Sequence, residues 1–369
     1  MSNALTSQSF PFEVVAKVRE SSTITSFHLV PLDRHHWQHF EAGQFLTIQV
    51  PDPSTGGYVL RNYTVSSAPS DEGMYRITVK REAALAPGTP QGLASCWLHD
   101  VVEEGAIVII NGPRGGFKLD MGSKRPVILL SGGVGITPTI SMLKVLANES
   151  ERPVWFIHAC DSGAVHALEK EVETLAARRA GIHVHYCYRF PSGDDVERAR
   201  FHSAGFISRE TVQKLLPLDD YQVYMCGPPP FMQAMYSLLT SLGVGKKNIA
   251  YEFFGPASLL SQAGHGDVSG VAAPPPTPIV DQSDNGIHLV LQKSDRRFAW
   301  DGSSESILSF LEAQGVEPPF SCRAGVCGSC VQDLVSGDVE YSEEPLDDIP
   351  PGRVLLCCSR PTTSIALNL

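Results

Sequence analysis

CRAGVCGSC, Cys322 to Cys330, sets three cysteines in the order C-x4-C-x2-C, and VLLCCSRP further on supplies Cys357 and Cys358 side by side. Three closely spaced thiolates and a fourth from a later segment are the donor set of a two-iron, two-sulfur cluster. Gly325 and Gly328 let the loop bend between ligands. Zinc is the competing reading, but zinc ribbons favour paired C-x2-C knuckles. Spacing alone leaves Cys357 and Cys358 equally available as the fourth ligand.

Upstream of this cysteine segment the chain changes character. From Gly255 to Asn285 it reads GPASLLSQAGHGDVSGVAAPPPTPIVDQSDN, rich in Gly, Ala, Ser and Pro and without sustained periodicity. That composition predicts a linker, extended at AAPPPTP and pliant elsewhere. Further upstream, EVVAKV, TSFHLV, QFLTIQV, YTVSS, YRITVK and AIVIIN are short strand candidates between turn clusters, the pattern of an antiparallel barrel. From Pro126 onward apolar strands alternate with helical stretches: PVILLS, TPTISMLKVLA, PVWFIHA, AVHALEKEVETLAARR, IHVHYCY, YQVYMC, PFMQAMYSLLTSL and NIAYEFF. Alternation of that kind predicts a parallel sheet covered by helices. The expected domains are 10–120 for the barrel, 121–255 for the α/β part, 256–284 for the linker and 285–369 for the cysteine-bearing part.

SGGVGITP, starting at Ser131, stands between a strand and a helix. Its glycines allow close backbone approach to a pyrophosphate, and the helix start offers unpaired amides and a positive dipole end. The spacing is not GxGxxG, so its position beyond the carboxyl end of a strand carries the reading.

Composition limits the function classes. A chain of 369 residues has room for two or three domains, and five of its nine cysteines fall between Cys322 and Cys358, which fits metal and redox use in a reducing compartment. MSNALTSQSFPFEVV lacks the basic and apolar stretches of a secretory leader, and every apolar run is short for a membrane span. A cytoplasmic protein that engages no membrane and acts as a monomer is expected. The formal net charge of -11 argues against nucleic acid. Between Gly286 and Leu369 twelve acidic residues face six basic ones, with SEEPLDD the densest piece, a surface able to steer a basic redox partner.

Two resemblances then join these parts. The stretch from Gly286 to Leu369 resembles a plant-type ferredoxin domain, an α+β β-grasp fold. Val354, Leu355 and Leu356 match the V-L-x that precedes its last cysteine. The resemblance implies Cys322, Cys327, Cys330 and Cys357 as cluster ligands, with Cys358 a buried neighbour. CGPPPFM at Cys226, SGGVGITP before it and YEFFGP after it resemble the nicotinamide domain of the ferredoxin-NAD(P) reductase family. RNYTVSS at Arg61, ITVKRE at Ile77 and GLAS at Gly92 resemble the family's flavin-domain motifs.

By that match Arg61, Gly92, Ala94 and Ser95 serve the flavin diphosphate, while Tyr63, Thr64, Val79 and Lys80 lie along the flavin. Gly133, Gly135 and Thr137 cradle the nicotinamide phosphates, and Cys226 with Gly227 borders the nicotinamide. Glu252 and Phe254 match the end of flavohaemoglobin-like reductase domains, beside the flavin ring. Thr64, Cys226 and Glu252 are thus the expected catalytic group. Asp161, after the second nucleotide strand, suits a free ribose 2′-hydroxyl, so NADH is expected over NADPH. FAD is expected, with FMN open. HHWQH at His35 is read as loop packing rather than a metal site.

The resemblance implies a reductase that passes electrons from NADH through flavin and a 2Fe-2S cluster to an electron-acceptor protein. The oxygenase component of a two-component Rieske non-haem iron system leads. An NADH oxidoreductase for a hybrid-cluster protein is a second reading, and a non-catalytic redox-sensing or metal-binding module is a third, from another class.

Overall fold

The computed structural model describes residues 9–54, 56–84, 91–253, 286–302, 304, 306–316, 318–320, 330–342, 345 and 349–369. The chain divides into two compact units, Met1–Phe254 and Gly255–Leu369.

The first unit begins with six antiparallel strands, β1 (Phe10–Arg19), β2 (Ile24–Pro31), β3 (Phe45–Pro51), β4 (Tyr58–Thr64), β5 (Tyr75–Lys80) and β6 (Ile107–Arg114). Their order is β4-β3-β6-β1-β2-β5. A bridge from Val65 to Ile77 joins the two outer strands, so the sheet closes on itself and leaves no open edge there. Period-two alternation along β3 sends Leu46, Ile48 and Val50 inside, where they meet Val14, Phe27, Leu29, Ile77 and Ile110. Helix α1 (Leu93–Asp100) presents Ala94 and Leu98, one helical turn apart, to this core. The strand expected over YTVSS instead starts at Tyr58 and ends at Thr64. Ser66 and Ser67 leave the ladder to bond with Arg76 and the second half of the unit.

That second half is a parallel sheet of β7 (Val127–Gly132), β8 (Val154–Cys160), β9 (Ile182–Tyr188), β10 (Ser203–Ala204), β11 (Gln222–Gly227) and β12 (Ile249–Phe253). The order β10-β9-β8-β7-β11-β12 puts β7 at the centre. A central strand is covered on both faces, which is why PVILLS runs apolar without alternation. Val127 and Leu129 pack toward α2 (Ile136–Glu149), while Ile128 and Leu130 face Met232, Met235 and Leu239 of α6 (Pro229–Ser241).

The helix expected over AVHALEKEVETLAARR is shorter, α3 (Glu169–Ala176). Before it Leu168 adopts φ +61, a left-handed conformation costly for a branched residue. The chain turns there because Ala167 and Leu168 are drawn into the core and His166 bonds Tyr188 Oη at 2.7 Å. Two short helices, α4 (Gly193–Glu197) and α5 (Arg209–Leu215), complete this half.

The second unit contains β13 (His288–Leu291), β14 (Arg296–Ala299), α7 (Ile307–Ala313), β15 (Val331–Ser336), β16 (Val339–Tyr341), β17 (Arg353–Leu355), β18 (Ser359–Pro361) and β19 (Ile365–Leu367). One sheet runs β14-β13-β19-β15-β17, with β13 and β19 parallel, and β16 pairs with β18. Ile307, Phe310 and Leu311 of α7 pack on Leu289, Leu291, Ile365 and Leu367. This is the β-grasp arrangement of a sheet with one helix laid across it. No helix among the described residues is long and apolar enough to cross a membrane.

Candidate functional site

The flavin-domain motifs converge on the end of β4. Arg61 is exposed, Tyr63 half-buried and Thr64 buried; Arg61 and Tyr63 share one face of the strand and Thr64 takes the other. Burial pushes the Tyr63 phenol well above its ordinary pKa, so the side chain stays a neutral donor. Val79 is buried on β5, and Lys80 pairs with Glu82 at 3.1 Å. Gly92 caps α1 without a side-chain bond, leaving amides at the helix start unpaired by a cap, with Ala94 and Ser95 in its first turn. Ser95 Oγ accepts from the Glu82 amide at 3.1 Å and donates to the Gly92 carbonyl at 3.2 Å, tying this turn to the chain after β5.

On the parallel sheet, β7 runs into a tight turn, Gly133–Gly135, and then α2. Gly133 has φ +54, favoured by glycine. A Cβ on Gly135 would overlap the Cys226 carbonyl oxygen, so this turn can lie against β11 only with glycine there. α2 has no side-chain cap, and Thr137 Oγ1 donates back to the Val134 carbonyl at 3.1 Å. Uncapped amides above a glycine turn suit a pyrophosphate.

Register brings the expected catalytic group together. Cys226 of β11 lies between Ser131 of β7 and Glu252 of β12, and Gly227 lies opposite Phe253. From the barrel, Thr64 Oγ1 donates to Glu252 Oε2 at 3.1 Å. Thr64, Cys226 and Glu252 therefore meet where the two halves of the first unit touch, although 188 residues separate the first from the last. Cys226 is fully buried, and burial first, then the Glu252 carboxylate, pushes its thiol far above its ordinary pKa. Its thiol is therefore held neutral. Phe254 lies outside the described residues.

Asp161 follows β8 and forms an ion pair with Arg189 Nε at 2.9 Å. Arg189 in turn lies over the Phe190 ring, 4.6 Å from its centroid. Sequence reasoning missed this arginine; its signal was its place just after the next strand, beside Asp161 across the carboxyl ends of the sheet. It also missed the buried chain below the glycine turn. Ser131 Oγ lies 2.8 Å from His158 Nδ1, and His158 stacks on His166 with centroids 4.7 Å apart.

In the second unit, Cys330, Cys357 and Cys358 are all buried in one apolar core. The Leu356 amide donates to the Cys330 carbonyl at 3.3 Å, linking the segments that carry the two described ligand candidates. Thiols gathered in an apolar core fit a thiolate-ligated cluster, whose charge such a core shields from water. Cys322 and Cys327 lie outside the described residues. In the HHWQH segment, His36 stacks on Phe10 with centroids 3.7 Å apart. Among the described residues no group of three His, Cys, Asp or Glu converges as a metal site.

Three family models match the chain in order: an oxidoreductase FAD-binding domain over 11–119, an oxidoreductase NAD-binding domain over 129–237 and a 2Fe-2S iron-sulfur cluster binding domain over 290–362. A flavohemoprotein of Bacillus thuringiensis subsp. konkukian is 42% identical over 250 residues, which cover 68% of this chain and 61% of that protein. The chain thus spans about 61% of the length of that curated relative. The flavohem-like FAD/NAD binding domain of nitric oxide dioxygenase from Vibrio cholerae O1 biovar El Tor is 36% identical, with TM-score 0.60, and matches over 67% of this chain and 99% of its own. Phthalate dioxygenase reductase, a modular structure for electron transfer from pyridine nucleotides to [2Fe-2S], is 25% identical with TM-score 0.58, over 98% of both chains.

Proposed function

The chain belongs to the flavohemoprotein-type FAD- and NAD-binding oxidoreductases, here with a 2Fe-2S domain added, and on that footing we propose that it is the NADH-dependent reductase component of a two-component oxygenase. The observation that carries the reductase reading is the Thr64–Glu252 contact beside Cys226, which joins the flavin-domain strand to the nicotinamide-domain sheet. Choice of an oxygenase as acceptor rests on the likeness to phthalate dioxygenase reductase over nearly the full length of both chains.

Arg61, permanently charged and forked, holds the flavin diphosphate together with the amides after Gly92 at Ala94 and Ser95. Tyr63, Val79 and Lys80 line the flavin. Gly133, Gly135 and Thr137 receive the nicotinamide dinucleotide's pyrophosphate. The bound flavin supplies the conversion of a hydride, two electrons at once, into single electrons that a cluster accepts. Glu252 accepts the hydrogen bond that the Thr64 hydroxyl donates, so the hydroxyl oxygen's lone pairs would be left to accept from a bound flavin. Cys226 and Thr64, 0% and 3% exposed, keep water from that junction. Asp161 accepts from a ribose 2′-hydroxyl while it holds Arg189. Cys322, Cys327, Cys330 and Cys357 ligate the cluster.

The test is anaerobic titration of the purified protein with NADH. Bleaching of both flavin and iron-sulfur absorption, followed by reoxidation on adding an oxygenase component, is expected. Protein with neither flavin nor acid-labile sulfide refutes the assignment.

A further inference from the structure

An ionic knot of two buried cations and one half-buried carboxylate joins the barrel to the nucleotide half at a place distinct from the Thr64–Glu252 contact. Glu171 of α3 receives Arg76 Nη1 from β5 at 2.9 Å and Lys144 Nζ from α2 at 2.8 Å. Both cations also reach across to one backbone group. The Ser66 carbonyl accepts from Arg76 Nη2 at 2.7 Å and from Lys144 Nζ at 3.0 Å, while Ser66 Oγ accepts from Arg76 Nε at 3.0 Å. One residue on, the Ser67 carbonyl accepts from Ser141 Oγ of α2 at 2.8 Å.

The segment from Thr64 to Ser67 is therefore fixed at every residue. Thr64 is held by Glu252, Val65 by the Gln44 carbonyl and its bridge to Ile77, Ser66 by the two cations and Ser67 by Ser141. α2 carries the Gly133–Gly135 turn at its start. The knot thus spans from the helix behind the pyrophosphate turn to the strand end expected at the flavin ring. Two cations share one carboxylate here. Burying such a set adds little net stability compared with apolar packing, so its effect is better sought in geometry than in stability.

We propose that Arg76, Lys144 and Glu171 are positioning residues for hydride transfer, holding the Thr64–Ser67 segment and α2 at the separation that brings nicotinamide to flavin. This rests on the reductase reading above. A misplacement of about 1 Å at a reacting centre costs roughly a hundredfold in rate, so a partial loosening should be visible in the hydride step and not in binding.

The experiment compares wild type, Glu171→Gln and Glu171→Asp in single-turnover bleaching of the flavin by NADH. Amide hydrogen exchange on the flavin-free proteins supplies an independent readout. For Glu171→Gln we expect a limiting rate lower by about tenfold, half-saturating NADH and flavin content within about twofold of wild type, and faster exchange at residues 64–67. Glu171→Asp, which keeps the charge, should recover part of the rate. An unchanged limiting rate, or a loss that only follows flavin content, overturns the proposal. Should Glu171→Gln not fold, Ser141→Ala removes the bond from α2 to the Ser67 carbonyl, and the same split in smaller measure supports the proposal while its absence overturns it. A wild-type protein whose bound flavin NADH does not bleach overturns the reductase reading along with the proposal.

Discussion

At the scale of single residues, the informative groups are polar side chains that the fold has taken out of water. His158 and His166 are 1% and 3% exposed, stacked on one another beneath the glycine turn. Burial first, then Arg200, opposed by Asp195, pulls the His166 pKa down to about 3, and burial and His166 together pull His158 well below 6.5. Both are therefore neutral in the folded protein across the physiological range. In the unfolded chain each takes up a proton below about 6.5, so stability is full above that pH and declines as pH falls toward the folded values. Each histidine contributes up to about 1.4 kcal/mol per pH unit in that window. Thermal unfolding followed from pH 7.5 to 5 should show a falling midpoint, and His166→Phe should flatten part of the slope. Carboxylates held down by ion pairs act only below about pH 4.5, which separates the two effects. A midpoint independent of pH from 7 to 5 contradicts this account.

At the scale of elements, the turn between β7 and α2 shows how much a short motif carries. Gly135→Ala would drive a methyl group into the Cys226 carbonyl, a backbone atom that cannot swing aside as a side-chain end can. The turn must then lift from β11, and weaker NADH binding is expected, by about tenfold or more, given that a forced overpacking costs roughly 1–3 kcal/mol. Isothermal titration of the flavin-loaded protein with a non-reducing nicotinamide analogue measures it; unchanged affinity would show that the turn relaxes freely. This element was legible in the sequence because SGGVGITP follows an apolar run and precedes a helical one. The barrel strands and β7 were legible for the same reason, since burial on one face or two leaves a period of two or none. What escaped reading had no periodic trace. The left-handed Leu168 cuts the α3 pattern short because tertiary burial of Ala167 and Leu168 outweighs helix propensity. Arg76 stood inside YRITVK as one polar strand position, and only folding reveals that it meets Glu171 from 95 residues away. The Asp161–Arg189 pair likewise joins two strand ends that the sequence separates.

At the scale of the whole molecule, two compact units divide the chemistry, with the FAD- and NAD-binding domains in one and the 2Fe-2S domain in the other. Each has its own apolar core: the barrel and the faces of the nucleotide sheet within Met1–Phe254, and the core around Leu289, Phe310 and Cys330 within Gly255–Leu369. Separate cores predict separable losses, because a lesson of domain anatomy is that each core supports folding of its own unit. Cys327→Ser removes one thiolate from the proposed cluster set, so reduction of a one-electron acceptor served by the cluster should fall to background while bleaching of the flavin by NADH keeps its rate within about twofold, a change of roughly 0.4 kcal/mol. Arg61→Ala does the reverse at its root: flavin is lost, both activities vanish, and the iron-sulfur spectrum persists. The two variants measured side by side, by absorption and by stopped-flow with ferricyanide and cytochrome c as acceptors, make the order of electron flow testable. If Cys327→Ser abolished flavin bleaching as well, the units would depend on one another for folding, and a relay built from independent modules would have to be abandoned.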